Sequence, residues 1–338
     1  MKTIQELETK LAQPSSALIN DIAALDGDIL LLGIGGKMGP SLARLAMNAI
    51  KEAGVNKKVI GASRFSSEGL KQELEADGVE TISVDLLNDQ QLQQLPDVKN
   101  VIYMAGNKFG TMGNEHFTWA MNAYLPGRVA EKYKNSRIVA FSTGNVYPFT
   151  PVAHGGATED TATGPIGEYG QSCLGRERIF EHFSRKYNTP LTIFRLNYAV
   201  DLRYGVLLEI AKSVKAGKSI NITMGNVNCI WQGDANEMAI RSLNIASSPP
   251  TFLNVSGPET LSMRWAANMF GQRFGVEPIF VGEESPTALL SNSAKAHQLF
   301  GYPQVSLQQM IEWTAEWCLA DGHTWNKPTH FQEREGKY

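Results

Sequence analysis

Three glycines at a fixed spacing constrain the fold of this chain more than any other feature. The apolar run Asp28–Leu32 leads directly into Gly33, Gly36 and Gly39, and residues 41–46 then continue as a helical segment. Such a spacing allows a tight turn, a close approach of the backbone to a ligand, and close packing of helix on strand. The unpaired N–H groups of a helix N-terminus bind phosphate. The sequence therefore predicts a strand–turn–helix unit that binds a dinucleotide.

Short apolar runs alternate with longer helical segments through the first 200 residues. The alternation predicts an α/β fold, a Rossmann-type doubly wound parallel sheet, because strands joined by helices form right-handed parallel crossovers. The predicted strands are Ile29–Leu32, Val59–Ala62, Thr81–Val84, Val101–Met104, Ile138–Phe141 and Leu191–Arg195, and the predicted helices lie near 39–53, 67–76, 113–133 and 167–186.

The pattern changes at both ends of this region. Residues 1–27 carry apolar residues at helical spacing, interrupted by Pro14, and predict an N-terminal helical arm. We assign 28–200 to the dinucleotide-binding domain and 201–338 to a smaller substrate lobe with a C-terminal arm. We expect part of 230–250 to return to the first domain. The substrate lobe should cover the carboxyl ends of the strands, where such sheets bind ligands.

Composition and charge argue against several classes of partner. The net charge is −3, and like charges do not form long blocks, so we expect neither a nucleic-acid nor a membrane partner. The three cysteines, Cys173, Cys229 and Cys318, are widely separated, and the polar N-terminus lacks the apolar core of a signal peptide. The six histidines show no metal-ligand spacing, so we expect no metal. We expect a cytoplasmic protein and leave a homodimer open.

The residues after the second and third strands indicate which dinucleotide binds. An NAD site usually places Asp or Glu after the second strand, but this chain has Ser63 and Arg64, which suit a 2′-phosphate. We therefore favour NADP and leave NAD open, since Arg64 could also be a plain surface residue. Asp85 could accept a hydrogen bond from adenine, or it could cap the helix near Asn88.

These motifs, taken in order, resemble a known family. The chain is similar to the extended short-chain dehydrogenase/reductases, the NAD-dependent epimerase/dehydratase family, over about residues 28–200 and more loosely through 230–234 and 254–259. The residues that carry the resemblance are the glycine turn, Asp85-Leu86, Ala105-Gly106, Asn122, Ser142–Tyr147, Tyr169–Ser172 and Arg195–Asn197.

The resemblance implies roles for individual residues. Tyr169 would be the acid/base, Thr143 would bind the same substrate oxygen, and Asn122 would support the helix behind the site. Lys108 would contact cofactor or substrate, unless it is a solvated loop cation. The resemblance, together with the glycine turn and the strand ends, implies a set of cofactor contacts. They are Gly33, Gly36, Lys37, Met38, Gly39, Ser63, Arg64, Asp85, Leu86, Ala105, Gly106, Lys108, Ser142, Tyr169 and Cys173.

One position departs from the family's Tyr-x-x-x-Lys signature, because Cys173 stands four residues after Tyr169. A lysine there would share a helix face with the tyrosine and lower its pKa, which a thiol cannot do. Three interpretations stay open: Lys108 or Arg176 supplies the charge, the oxidised nicotinamide supplies it, or Tyr169 does not ionise. A fourth, Cys173 as a nucleophile, lacks an identifiable base.

The expected function follows from these residues. We expect an oxidoreductase or epimerase that acts on a secondary alcohol or carbonyl of a sugar-like small molecule, and as the alternative a cofactor-binding regulator without turnover. Gly144 and Asn145 occupy the positions of the Asp-Glu pair that the resemblance implies for sugar-nucleotide 4,6-dehydratases, which argues against that reaction. His154 in the loop after the fifth strand, and Trp325 and His330 in the tail, are further candidates for substrate contacts.

Overall fold

The computed structural model describes residues 1–108 and 110–337. Its helices are α1 Ile4–Leu11, α2 Ser16–Ala24, α3 Gly39–Ala53, α4 Leu70–Ala76, α5 Asp89–Gln94, α6 Glu115–Trp119, α7 Leu125–Lys132, α8 Gly167–Tyr187, α9 Val206–Lys215, α10 Gln232–Arg241, α11 Met263–Phe274, α12 Ala294–Phe300 and α13 Leu307–Leu319. Its strands are β1 Ile29–Leu32, β2 Val59–Ser63, β3 Glu80–Ser83, β4 Asn100–Tyr103, β5 Arg137–Thr143, β6 Thr150–Pro151, β7 Leu191–Leu196, β8 Ala199–Val200, β9 Ser219–Asn221, β10 Asn226–Val227, β11 Ile230–Trp231, β12 Thr251–Val255, β13 Leu261–Ser262, β14 Ile279–Val281 and β15 Thr287–Ala288.

A seven-stranded parallel sheet forms the centre of the fold, in the order β12-β7-β5-β4-β1-β2-β3. Strands β1 and β4 are buried at every residue, as expected for a sheet covered on both faces. The chain winds outward from β1 to β3 and then returns to β4 on the other side of β1. Ligands of doubly wound sheets bind at such a reversal. The parallel order of the strands confirms the predicted fold class.

Three parts of the sheet domain differ from the sequence prediction. The single helix predicted over 113–133 consists of α6, a π-helical turn over Ala120–Tyr124, and α7. The fourth helix starts at Leu70 rather than near 67. The seventh strand, β12, was not predicted, because it lies beyond the region where strands and helices alternate regularly.

The N-terminal arm packs on both parts of the molecule, since Leu7 and Leu11 of α1 join the apolar core of the smaller lobe and Leu18 and Ile22 of α2 join the core between α3 and the sheet. Its first helix has a capping box in which Thr3 and Glu6 bind each other's backbone N–H groups. Glu8 forms an ion pair with Arg44 of α3, at 2.9 Å. The arm buries the apolar side chains of both helices, namely Leu7, Leu11, Leu18 and Ile22.

The smaller lobe has its own apolar core between α9, α11 and α13. However, α10 packs on α3 and β12 pairs with β7, so residues after 230 contribute to both parts of the molecule. The division of the chain at residue 200 stays a prediction. Among the residues that the structure describes, no helix is long and apolar enough to cross a membrane.

Candidate functional site

A cavity of about 440 Å³ lies at the carboxyl edge of the sheet, between β1, β4 and β5 and the smaller lobe. The glycine turn lines one end, through Gly33 and Gly36. Thr143 and Tyr169 line it as well, and Tyr204 of the smaller lobe lines it beside Lys37. The cavity therefore brings the predicted dinucleotide turn and the predicted acid/base pair into one space.

The glycine turn has the geometry of an anion-binding cradle. A Cβ at Gly39 would lie 2.0 Å from the Ile34 carbonyl oxygen, so α3 can begin there only with glycine. Gly33 has φ +92°, and a Cβ on it would lie 2.7 Å from the Ala105 nitrogen. Gly36 is exposed, and the nearest atom that its Cβ would meet lies 3.4 Å away. No side chain of the described residues caps α3 at Met38, which leaves N–H groups of its first turn for a ligand.

The acid/base pair forms where β5 ends and α8 begins. Thr143 is the last residue of β5, and Tyr169 lies in the first turn of α8. The Tyr169 hydroxyl is hydrogen-bonded to the side chains of Thr143 and Cys173. Asn145 donates to Thr143 Oγ1 from both its backbone nitrogen and Nδ2, each at 3.2 Å. Burial raises the pKa of Tyr169 well above its usual value, although Arg176 and the Thr143 hydrogen bond oppose that rise.

Cys173 lies one turn along α8 from Tyr169 and is fully buried. It packs in a small core cluster with Val146, Tyr147 and Ala157, and it is not among the residues that line the cavity. Burial raises the pKa of its thiol. The predicted contact between Cys173 and a cofactor stays a prediction, and the neutral thiol supplies no charge to Tyr169.

Arg176, two turns along α8 from Tyr169, places a guanidinium directly behind the cavity wall. It donates to the Phe141 carbonyl oxygen at 2.8 Å and to Asn122 Oδ1 at 2.7 Å. A Cβ on Gly106 would lie 2.5 Å from its Nη2, so only the absence of a side chain at 106 leaves room for it. Its hydrogen-bond acceptors within the described part of the chain are uncharged oxygens. Its charge lowers the pKa of Tyr169 against the larger effect of burial.

Lys108 also lies close to Tyr169. Its Nζ lies 5.6 Å from the centre of the Tyr169 ring, and the residue lines the cavity. Burial lowers the pKa of Lys108 to about 8. Both cations that the sequence suggested as substitutes for the family's lysine therefore lie beside Tyr169.

Asn122 connects these groups without reaching the cavity. It lies in the π-helical turn and is fully buried. Its Oδ1 accepts from the Asn107 nitrogen and from Arg176, and its Nδ2 donates to the Asn107 carbonyl and to Ser172 Oγ. It thus fixes the loop before Lys108 against α8.

The residues predicted for the adenosine side lie outside the lining of the cavity. Ser63 ends β2, and its Oγ would lie 2.6 Å from a Cβ on Gly35, while the Arg64 side chain is exposed. Asp85 Oδ1 accepts from the Leu87 nitrogen at 3.0 Å, and Asn88 rather than Asp85 caps α5. Of the predicted cofactor residues, those that do not line the cavity are Gly39, Ser63, Arg64, Asp85, Leu86, Ala105 and Cys173.

Ser142 lines the cavity but has a buried partner. Its hydroxyl donates to Glu177, which in turn pairs with Arg195 at 2.7 Å. Arg195 also donates to the Tyr147 hydroxyl at 2.6 Å. This network connects the carboxyl ends of β5 and β7 to α8. Ser142 therefore has a structural contact besides any contact with a ligand.

Several cavity residues were not predicted, because their segments carry no recognisable motif. Tyr204 forms a cation–π contact with Lys37, whose Nζ lies 3.3 Å from the ring centre. Burial, together with repulsion by Lys108 and Lys327, lowers the pKa of Lys37 to about 7. Thr329 reaches the cavity from the C-terminal tail. His154 is exposed at the end of a 3₁₀ turn, and its predicted contact with substrate stays a prediction.

The similarity to known proteins agrees with this geometry. The sequence profile of the NAD dependent epimerase/dehydratase family matches residues 29–224, which is more than half of the chain. The chain belongs to the NAD-dependent epimerase/dehydratase family. The resemblance stated from the motifs is therefore confirmed, and the departure expected at Cys173 stays a prediction.

Solved structures of epimerases share the fold at low sequence identity. UDP-glucuronic acid 4-epimerase from Bacillus cereus, solved with NAD, has 21% identity and a TM-score of 0.69 over 87% of this chain and 98% of that chain. UDP-glucose 4-epimerase from Thermotoga maritima has 16% identity and a TM-score of 0.68 over 87% and 99%. The UDP-Glc/GlcNAc 4-epimerase from Campylobacter jejuni has 19% identity and a TM-score of 0.70 over 86% and 98%. No curated protein matches the sequence.

Proposed function

We propose that this protein is a nicotinamide-dependent oxidoreductase or epimerase that acts on a secondary alcohol or carbonyl of a sugar-like molecule. The observation that carries the proposal is the Tyr169–Thr143 pair, which shares one cavity with the glycine turn. Membership of the family and the sugar-nucleotide epimerases among the neighbouring structures support it.

The residues of the cavity suit a nicotinamide dinucleotide. Gly33, Gly36 and the N–H groups after Lys37 would hold its pyrophosphate, since the turn offers a bare helix N-terminus. When bound, the nicotinamide supplies the acceptor or donor of a hydride. Ser63 and Arg64 favour the phosphorylated form, NADP, because neither is a carboxylate that would repel a 2′-phosphate.

The chain's own residues would manage the proton and the reacting oxygen. Thr143 and Tyr169 would both bind the substrate oxygen, and Tyr169 would take its proton during oxidation or return it during reduction. Because burial keeps the Tyr169 pKa high, the phenol ionises at working pH only if nearby positive charge stabilises the phenolate. Arg176 and Lys108 are positioned to provide that charge.

A second candidate is a cofactor-binding regulator without turnover. The buried Cys173 favours it, since the position that the resemblance assigns to a lysine carries no charge. A cytoplasmic location and assembly into a homodimer stay predictions under either function.

The test measures cofactor binding and turnover in the same variants. We expect titration calorimetry to show binding of NADP or NAD to the native protein and to Tyr169→Phe. We expect turnover of a screened sugar alcohol or sugar acid to fall by roughly 10²–10⁴ in Tyr169→Phe, the usual contribution of a general acid/base.

The matched control is Tyr133→Phe, which removes a hydroxyl that donates to the Pro96 carbonyl and belongs to a residue outside the cavity lining. Loss of turnover in both variants would contradict the role of Tyr169. If no alcohol or carbonyl is turned over although cofactor binds, the regulator is the better function. If neither dinucleotide binds, both candidates fail.

A further inference from the structure

A buried polar cluster connects α10 to the first turn of α3. Gln232 is the first residue of α10, and Asn236 lies about one turn further along that helix. Gln232 Nε2 and Asn236 Nδ2 each donate to Ser41 Oγ at 2.9 Å. Ser41 in turn donates to the Met38 carbonyl oxygen at 3.0 Å. These bonds hold α10 against the part of α3 that follows the glycine turn.

The Ser41 hydroxyl determines how the Gln232 carboxamide is oriented. A serine hydroxyl has one proton to donate and two lone pairs that accept. Because the proton is used on the Met38 carbonyl, Ser41 can only accept from the two carboxamides. Each carboxamide must therefore present its N–H₂ group to Ser41, and Gln232 Oε1 points away from that contact.

The oxygens of the two carboxamides lie in different surroundings. Asn236 does not line the cavity, and its Oδ1 is buried without a hydrogen-bond partner in the described part of the chain. Gln232 is 3% exposed and lines the cavity. No N–H or O–H group of residues 1–108 and 110–337 donates to Gln232 Oε1, and that oxygen does not belong to the fully buried atoms that lack a partner. The Gln232 oxygen is thus an unused acceptor at the cavity surface.

Gln232 is tied to two segments that line the cavity. Through Ser41 it contacts the turn before α3, where Met38 is a lining residue. On its other side the strand pairing of β11 with β8 joins it to the segment after β7, where Ala199 is a lining residue. An acceptor oxygen is therefore held next to the place where the glycine turn would hold a pyrophosphate.

The chemistry of the cofactor limits what this oxygen can bind. The phosphate oxygens of a pyrophosphate are acceptors and cannot donate to a carboxamide oxygen. The adenosine half is a poor candidate, because the residues predicted for it do not line the cavity. The donors that remain are the ribose hydroxyls and the carboxamide N–H₂ group of the nicotinamide riboside half.

We propose that Gln232 is a cofactor-binding residue, whose Oε1 accepts a hydrogen bond from a hydroxyl or amide N–H of the nicotinamide riboside half. Ser41 is the positioning residue that holds the carboxamide in this orientation. The inference rests on the proposed function and adds a residue to its cofactor site. The glycine motif does not include Gln232, since the contact with Ser41 spans 191 residues of sequence.

The test compares Gln232→Met with Asn236→Leu in the full-length protein. Both substitutions remove one N–H donor from Ser41, but only Gln232 lines the cavity. Titration calorimetry measures binding of NADP and NAD. We expect Gln232→Met to weaken binding of the preferred dinucleotide by roughly tenfold, because a donor of the bound cofactor loses its acceptor. We expect Asn236→Leu to change that affinity by no more than about twofold.

Melting temperatures show whether both variants fold, and Gln232→Ala replaces Gln232→Met if the latter does not. Equal loss of dinucleotide affinity in the Gln232 and Asn236 variants would mean that Gln232 acts only by supporting α3, and it overturns the inference. Unchanged dinucleotide affinity in the Gln232 variant also overturns it, including the case in which the KM of a sugar-like substrate rises instead.

A second titration identifies the half of the cofactor that Gln232 contacts. The probes are 2′,5′-ADP and AMP, the adenosine halves of NADP and NAD. We expect their affinities to be the same in the native protein and in Gln232→Met. A loss for the adenosine half as large as the loss for the dinucleotide places the contact outside the nicotinamide riboside half and overturns the inference.

These outcomes are distinguishable from failure of the proposed function. That function survives a negative result at Gln232 if the native protein binds a dinucleotide and turns over a substrate in a Tyr169-dependent manner. If the native protein binds neither NADP nor NAD, the proposed function fails and the inference fails with it.

Discussion

Removal of the Lys108 ammonium should raise the pKa of Tyr169 in the working enzyme. The Lys108 Nζ lies 5.6 Å from the Tyr169 ring centre. For an ammonium–phenolate oxygen separation of about 6 Å and an effective dielectric constant near 20, two unit charges attract by about 3 kcal/mol. That is equivalent to about two pKa units, and partial solvation of the ammonium reduces it. We therefore expect Lys108→Met to raise the Tyr169 pKa by about one to two units.

The assay is the pH dependence of turnover in the oxidative direction, where the phenolate form of Tyr169 accepts the proton. In the plot of turnover rate against pH, the rise that reports Tyr169 ionisation is called the Tyr169 limb. This limb should move to higher pH in Lys108→Met, because loss of a positive charge disfavours the phenolate. The pKa of Lys108 is itself lowered to about 8, so its support is present below that pH and fades above it. Lys51→Met is the control for loss of a remote lysine.

The charge that lowers the Tyr169 pKa could instead come from Arg176. The Asn122→Asp variant tests this without removing the guanidinium. A carboxylate at 122 would replace the oxygen that now lies 2.7 Å from Arg176 Nη2 and would neutralise its charge. If Arg176 supports Tyr169, the limb should move upward in Asn122→Asp. If Lys108→Met leaves the limb in place while Asn122→Asp moves it, the reasoning for Lys108 is refuted. If neither moves it, the nicotinamide charge is the source that remains.

Further substitutions test the other parts of the site. Gly39→Ala should lower the melting temperature, because its Cβ would lie 2.0 Å from a carbonyl oxygen. Gly36→Ala should keep the melting temperature and weaken cofactor binding. Scanning calorimetry measures the first effect and titration calorimetry the second. Arg64→Ala should weaken NADPH binding by about 1–3 kcal/mol and leave NADH binding nearly unchanged, and equal weakening of both would contradict a 2′-phosphate contact. Glu177→Ala should lower the free energy of unfolding in urea by about 3–5 kcal/mol, since it leaves the buried Arg195 charge unpaired, and a much smaller loss would argue against that pairing.

The parts of the fold that follow from local chemistry were predictable from the sequence. The turn at Gly33–Gly39 was found because strand, glycines and helix follow one another within a dozen residues. Strand β12 was not found, because its place beside β7 depends on a contact across more than 50 residues of sequence. The π-helical turn around Asn122 was also missed, since apolar periodicity alone does not distinguish one long helix from two helices with an inserted residue.

The sequence also could not predict which charged side chain lies next to Tyr169. Helical spacing correctly placed position 173 one turn from Tyr169, but it could not tell whether that side chain reaches the cavity or the core. The structure places the thiol in the core and brings Arg176 behind Gly106, where a glycine leaves room for a guanidinium. Arg176 is held there by Asn122, and Asn122 is presented by the π-helical turn that the sequence did not reveal. A buried cation beside Tyr169 thus depends on a glycine in the loop after β4 and on an asparagine in the irregular helical turn, two segments outside α8. Loss of the lysine from a family signature is consequently weak evidence for loss of catalysis, because charge can reach the phenol from a residue that the signature does not include.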